Sequence, residues 1–283
     1  MRILVDTDNA LGSPRGDVDD ALAVAPLLAG GLPVAALASV GGNTSEARAD
    51  ENNRRLGALC GYAGPYLRGA AARELAAGAE RVDRASWLWW PEDAGAGPLT
   101  VAALGPLTNV AAALAEAARH GRALDVAEVL VVGGSLHSRG RWPPYWPHEF
   151  NLTVDPPATR AVWESALPLT IVPLDVARRV RVGAAELREL RGALGEALRR
   201  DSRRWLRRAG LRHASSTFPA YDLVAAACLF APETVERVVV PARLRERLWI
   251  EWGAGERRVT LVRDCDGGAI WRRTVELVNA LGD

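Results

Sequence analysis

Five aspartates fall within fifteen positions near the start of the chain, in the stretch VDTDNALGSPRGDVDDALA: Asp6, Asp8, Asp17, Asp19 and Asp20. Carboxylates brought that close repel one another unless a cation sits among them. Oxygen donors without clustered histidine or cysteine favour calcium or magnesium over zinc. The plainer alternative is an acidic loop followed by aspartates that cap a helix, and the spacing alone leaves it open. Further on, polar or glycine positions recur directly behind apolar runs: Gly42 and Asn43, Gly105, and Gly133 and Gly134.

Those apolar runs predict the elements that must hold the polar residues. Arg2 to Val5 reads as a strand, Asp17 to Leu28 as a helix with acids in its first turn, Pro33 to Val40 as a second strand and Glu46 to Cys60 as a second helix. The alternation continues with Thr100 to Leu104, Leu107 to Ala118, Val126 to Val132, Pro157 to Trp163 and Leu169 to Val172. Strands separated by helices of this length imply right-handed crossovers. The expected class is α/β, with an open, mostly parallel central sheet flanked by helices on both faces, a Rossmann-like core. In such sheets the ligand crevice lies beyond the carboxyl ends of the strands, where these polar residues gather. The last third changes character. Ala184 to Ala209 predicts an arginine-rich helix, Ala220 to Phe230 a buried helix, Val235 to Val262 antiparallel strands, and about Ala269 to Leu281 a final amphipathic helix. With neither an internal repeat nor a low-complexity linker, residues 1–283 are expected to form one domain.

Composition narrows the chemistry. All 35 basic residues are arginine, so Schiff-base chemistry, a pyridoxal-phosphate lysine and a Walker-type phosphate lysine are excluded. A net charge of +1 gives no general pull toward nucleic acid or an anionic membrane. Cys60, Cys228 and Cys265 are odd in number and scattered, which suits reduced thiols in the cytoplasm. Asp6 and Asp8 interrupt the first apolar run, so no secretory signal is expected. Ala21 to Ser45 carries no charge and imitates a membrane span, but Gly30, Gly31 and Pro33 split it into a helix, a turn and a strand.

The segments DTD, DDALA, GGN, ALGPLTN, EFN followed by DP, and the late PAYDLVAAA occur in the order found in the inosine-uridine-preferring nucleoside hydrolases, and the chain resembles that family from about residue 2 to residue 232. The resemblance implies a nucleoside hydrolase-like fold and calcium-dependent cleavage of the N-glycosidic bond of ribonucleosides, giving free base and ribose. It implies that Asp8 binds calcium and acts as general base toward a water the metal activates. Asp20, Asp222 and the main-chain carbonyl of Leu104 are the implied remaining ligands. Asp19, Asn43, Glu149 and Asn151 match ribose contacts, where fixed carboxylates and amide oxygens stabilise positive charge developing on the sugar. The implied partners are a nucleoside and further copies of the chain, as a homodimer or homotetramer.

Three departures bear on the site. Ten residues, Asn9 to Val18, stand where the family has about three; the metal pair survives if the extra residues loop outward, and the pocket mouth would change. Tyr221 occupies the position of a histidine that can protonate the leaving base; a tyrosine there stacks, donates a proton or only lines the pocket. Pro143 stands where the family places a ribose-binding asparagine, in a loop made basic by Arg139, Arg141 and His148 that could accept an acidic group. Trp87, Trp89, Trp90, Trp142 and Trp146 are candidates for stacking on the base or for packing, and His213 for a substitute acid. Arg199 to Arg208 reads as a solvated helix face.

Two rival readings meet these residues. A haloacid-dehalogenase-type phosphatase also opens on strand-DxD, but Asp6-Thr7-Asp8-Asn9-Ala10 lacks its following threonine or valine, and it has no place for GPLTN or EFN. A catalytically weak homologue that binds calcium and a nucleoside, or a hydrolase of a modified, acidic ribosyl substrate, fits the aspartates with the substituted histidine and asparagine.

Overall fold

A computed structural model describes residues 1–13, 16–69, 97–136, 149–213 and 215–282 of the chain. Trp87, Trp89, Trp90, Arg139, Arg141, Trp142, Pro143, Trp146 and His148 lie outside the described residues, as does the side chain of His213.

The strands are β1 (Arg2–Thr7), β2 (Val34–Ser39), β3 (Tyr66–Arg68), β4 (Leu99–Ala103), β5 (Val126–Val132), β6 (Leu169–Val172), β7 (Arg181–Gly183), β8 (Thr217–Pro219), β9 (Val235–Leu244), β10 (Ile250–Trp252) and β11 (Arg257–Cys265). Nine of them form one sheet in the order β10-β9-β11-β6-β5-β4-β1-β2-β3, and β7 pairs with β8 apart from it. Neighbours from β3 through β11 run parallel, whereas β9 and β10 add an antiparallel edge. From β1 the chain builds outward through β2 and β3, then returns to β4 on the other side and continues away. That reversal is a topological switch point, and it opens a crevice beyond the carboxyl ends of β1 and β4.

Helices cover both faces: α1 (Asp19–Ala29), α2 (Glu46–Leu59), α3 (Thr108–Arg119), α4 (Phe150–Thr153), α5 (Pro156–Glu164), α6 (Leu174–Ala177), α7 (Ala184–Glu189), α8 (Gly192–His213), α9 (Tyr221–Phe230) and α10 (Gly267–Ala280). The strands are apolar at successive positions because each face has its own core. Ile3, Val5, Leu130 and Val132 pack with α1 and α9, while Leu4, Val101, Val129 and Val131 pack with α3 and α5. The uncharged run that imitates a membrane span resolves into α1 and β2, and Asp19 to Leu28 are buried throughout α1. Truncating a fully buried side chain such as Leu22 to alanine costs about 2–5 kcal/mol. None of the described helices is long and apolar enough to cross a membrane.

Four differences from the sequence reading have local causes. The first helix begins at Asp19 rather than Asp17, because Val18 is non-helical at φ −127° and Asp17 Oδ1 accepts the Val18 amide at 2.6 Å. The arginine-rich helix is two helices, broken where Leu190 is extended at φ −72°, ψ 131°. The three-residue strand β3 is too short to leave a periodic signal. Lastly, the segment after Asn9 does not loop freely outward: Ala10, Leu11 and Val18 are buried, and Leu11 and Val18 belong to the core beside α1.

Candidate metal and ribose site

The site begins where β1 ends. Asp6 and Thr7 close the strand and Asp8 follows, all three fully buried. Across the crevice, α1 opens with Asp19 and Asp20, and α9 opens with Tyr221 and Asp222. Two helix N-termini, with their positive dipole ends, therefore meet a strand terminus, which favours negative charge at this spot. Carboxylate oxygens of Asp19, Asp20 and Asp222 lie within 4.8 Å of one another, and all three residues are buried. Asp8 lies beside them, its charge bearing on both Asp20 and Asp222.

Each carboxylate is aimed by neighbours. Asp8 Oδ2 accepts the Asn43 backbone N–H at 2.6 Å, with Asn43 Nδ2 at 3.4 Å from Oδ1. Asp19 Oδ2 accepts the backbone N–H groups of Tyr221 at 3.0 Å and Asp222 at 3.4 Å, which ties α1 to α9. Thr7 Oγ1 donates to Asp20 Oδ1, while Asp20 Oδ2 is buried without a hydrogen-bond partner. Glycine lets the backbone come close: a Cβ on Gly42 would stand 2.0 Å from Asp8 Oδ2, and one on Gly105 would stand 3.2 Å from Asp8 Cγ.

The electrostatics follow from burial. Desolvation lifts Asp8 to about 6, and it lifts Asp20 and Asp222 well above the usual carboxylate range, with neighbouring aspartates adding to the rise. Asp19 is raised by burial too. A divalent cation among these oxygens would reverse that pressure, and the donor set fits one: hard oxygens only, one of them a buried acceptor left over. The residues present thus fit calcium, with Asp8, Asp20 and Asp222 as the expected carboxylate ligands and Asp19 close enough to share the role. The Leu104 carbonyl, the expected backbone ligand, receives Asn151 Nδ2 at 2.8 Å and retains a second lone pair.

Of the expected ribose contacts, Asn43 adjoins Asp8, while Glu149 and Asn151 stand at the carboxyl ends of β4 and β5. Glu149 is buried; Gly134 N–H donates to its Oε2 at 2.6 Å and Leu152 N–H to its Oε1 at 3.2 Å, while burial raises the carboxyl to about 7. Asn43 turns its polar groups toward Asp8, and Asn151 Nδ2 binds the ends of β4 and β5 through Leu104 and Val132. Burial, then the charges of Asp19 and Asp17, push the Tyr221 phenol up to about 12, so it keeps its proton at neutral pH. Sequence reasoning assigned no role to Thr7 or to Asn109, whose Nδ2 holds Asp6 Oδ1 at 2.7 Å and the Ser39 carbonyl at 3.1 Å. Both sit inside the motifs, at Thr7 of DTD and at the last residue of ALGPLTN, which was the available signal.

Comparison with known proteins shows a family and a fold. The model of the family described as inosine-uridine preferring nucleoside hydrolase matches residues 3–272. The chain is similar to a pyrimidine-specific ribonucleoside hydrolase from Enterobacter sp. (strain 638), at 37% identity over 94 residues, or 33% of this chain. The aligned stretch spans 28% of that relative's length. Among solved structures, a plant nucleoside hydrolase superposes with a TM-score of 0.75 at 17% identity, covering 99% of this chain and 98% of that one. A purine-preferring ribonucleoside hydrolase from Gardnerella vaginalis gives 0.73 at 16% identity, covering 100% and 99%. At such identities the likeness of the two structures is one of fold.

Proposed function

Because the chain belongs to the inosine-uridine preferring nucleoside hydrolase family, we propose that it hydrolyses the N-glycosidic bond of ribonucleosides in a calcium-dependent reaction. The observation that carries this is the buried trio Asp19, Asp20 and Asp222 beside Asp8, at the switch point of the sheet. A bound calcium ion would supply the positive charge that orients the ribose hydroxyls and eases deprotonation of a water beside it. Asp8 takes that proton. Its oxygen Oδ1 is engaged by Asn43 only at 3.4 Å, which leaves it open to accept the proton. Asp19 holds a ribose hydroxyl on the carboxylate that α9 fixes in place. Glu149 and Asn151 supply oxygens against the positive charge that grows on the sugar as the bond breaks.

Tyr221 is the residue proposed to face the departing base. A phenol at about 12 is a poor proton donor at pH 7, so the ring serves through stacking or a neutral hydrogen bond. Free thiols, two of them buried, suit a reducing compartment, and family membership favours a homodimer or homotetramer. The test is release of free ribose from a panel of ribonucleosides, with and without chelator. Release that stops on chelation and is lost in Asp8→Ala supports the reading. No release from any member of the panel, with calcium shown to bind, sinks it.

A further inference from the structure

The residues directly beyond β5 are braced by hydrogen bonds from α6 and β10. Gly133 N–H donates to the Val172 carbonyl at 3.0 Å, and the Gly134 carbonyl accepts the Leu174 N–H at 2.9 Å. Asp175, buried in the first turn of α6, holds the next two residues. Leu136 N–H donates to its carboxylate, 3.0 Å from Oδ1 and 2.9 Å from Oδ2, and Ser135 Oγ donates to Oδ2 at 3.1 Å. From β10, Trp252 Nε1 donates to the Ser135 carbonyl at 2.8 Å. Both glycines are needed here: Gly134 has φ +77°, and a Cβ on Gly133 would stand 3.0 Å from Glu149 Oε1. The braced segment offers one bond to the site, from Gly134 N–H to Glu149 Oε2 at 2.6 Å. Glu149 Oε1, which accepts the Leu152 N–H at 3.2 Å, keeps a lone pair for a ligand.

We propose that Asp175 is a positioning residue that, seconded by Trp252, fixes Ser135 and Leu136 and thereby aims the Gly134 N–H at Glu149, setting the carboxylate that faces ribose. The main chain at a glycine has wider conformational freedom than at any other residue, so the N–H it presents stays aimed only if its neighbours are held. A buried carboxylate is a costly way to satisfy a strand end, where a neutral acceptor would do. Its return is a pair of directional, charge-assisted bonds that fix orientation. Trp252 adds the antiparallel edge of the sheet to the same support. The inference rests on the proposed ribose role of Glu149.

The test uses the full chain with saturating calcium and reads kcat and KM for a ribonucleoside, alongside ribose affinity by calorimetry. Asp175→Ala is expected to lower kcat roughly thirtyfold and to weaken ribose binding roughly fivefold, because Glu149 meets charge that develops as the bond breaks. Calcium affinity should stay within about twofold of the parent's, since no carboxylate of the cluster is touched. Asp175→Asn keeps an acceptor for the Leu136 N–H and a polar partner for Ser135 Oγ, and is expected to bring both readouts within about twofold of the parent. Trp252→Phe removes the indole N–H and keeps the ring's bulk; kcat is expected to fall about threefold. In a Glu149→Ala background, adding Asp175→Ala should change kcat and ribose affinity by less than about twofold, a coupling that a merely structural role would not give. Unchanged kcat and ribose affinity in Asp175→Ala overturn the proposal, as does Asp175→Asn behaving like Asp175→Ala or a full loss persisting in the Glu149→Ala background. If melting shows Asp175→Ala unfolded, Trp252→Phe decides, and unchanged kcat and ribose affinity there overturn the proposal. Ribose binding without hydrolysis in the parent overturns the hydrolase reading, and the ribose affinities of the same variants then decide the role of Asp175. No ribose binding at all overturns both.

Discussion

Two groups of acidic side chains lie beside different strands of the sheet, and only one of them is built for a ligand. Beyond β1, Asp8, Asp19, Asp20 and Asp222 are buried and crowd one another, and Asp20 Oδ2 is left without a partner. Beside β9 and β11, Glu233, Glu236, Asp264 and Asp266 line a cavity of about 500 Å³ together with Cys265, and all four acids are exposed. There three of the four acids already have partners. Arg263 pairs with Glu236, Arg179 pairs with Asp264, and Asp266 Oδ1 caps α10 through the Ala269 N–H at 2.9 Å. Similar composition thus has opposite meaning: a buried cluster without cations demands one, whereas an exposed cluster with arginines is a finished surface.

The comparison breaks most easily at Asp20. Asp20→Ala removes the leftover acceptor and one of the three buried carboxylates, and we expect ribose release to fall by more than about 10³-fold, with calcium affinity falling alongside. Activity above a tenth of the parent's would show that the buried cluster is not the working one.

Glu149 gives the next largest effect, on stability. Its carboxyl is raised from 4.5 to about 7, chiefly by burial, so the folded state prefers it protonated. The stability that this preference contributes is fully present below about 4.5 and is lost as pH rises through about 7. The cost amounts to roughly 3 kcal/mol above that window. Glu149→Gln, which cannot ionise, should therefore gain on the parent by that amount between pH 4.5 and pH 8 in urea unfolding without calcium. A parent-to-variant difference that stays flat with pH would show that Glu149 is solvated or paired.

Calcium itself should act on fold stability through the same cluster. Binding only to the folded chain raises unfolding free energy by about 2.7 kcal/mol at a hundred times the dissociation constant. Differential scanning fluorimetry should show a rise in melting temperature on adding calcium that chelator reverses and Asp20→Ala abolishes. A shift that survives Asp20→Ala would move the cation to another place.

How far the sequence carried this depends on how each feature is encoded. The two-faced sheet was legible because β1, β4 and β5 are apolar at successive positions, and the crevice because Asp8, Asn43 and Leu104 stand at strand ends. The switch point came from topology, since only the return of the chain to β4 beside β1 creates it. The anchoring of the insertion was not legible. Nothing in NALGSPRGDV announces that Asn9 will be gripped by Asn52 and Asn53 from α2, 43 and 44 residues away, because side-chain partners at that separation leave no local pattern. The finished state of the second acidic group was equally hidden, as Arg179 and Asp264 meet only when β11 lies against β6.

The smallest effect tests that second group directly. Arg179 and Asp264 are 45% and 52% exposed along their side chains, and Arg263 and Glu236 are 59% and 46% exposed. Pairs this open to water are screened, and each holds two long or mobile side chains in one geometry, so each contributes within about 1 kcal/mol. Asp264→Asn and Glu236→Gln should therefore leave ribose release within about twofold of the parent and calcium stoichiometry unchanged, and should shift the urea midpoint slightly. Loss of a calcium equivalent on either change would show that this surface also takes a cation. The contrast between a buried, unanswered cluster and an exposed, answered one would then no longer predict which carboxylates bind metal.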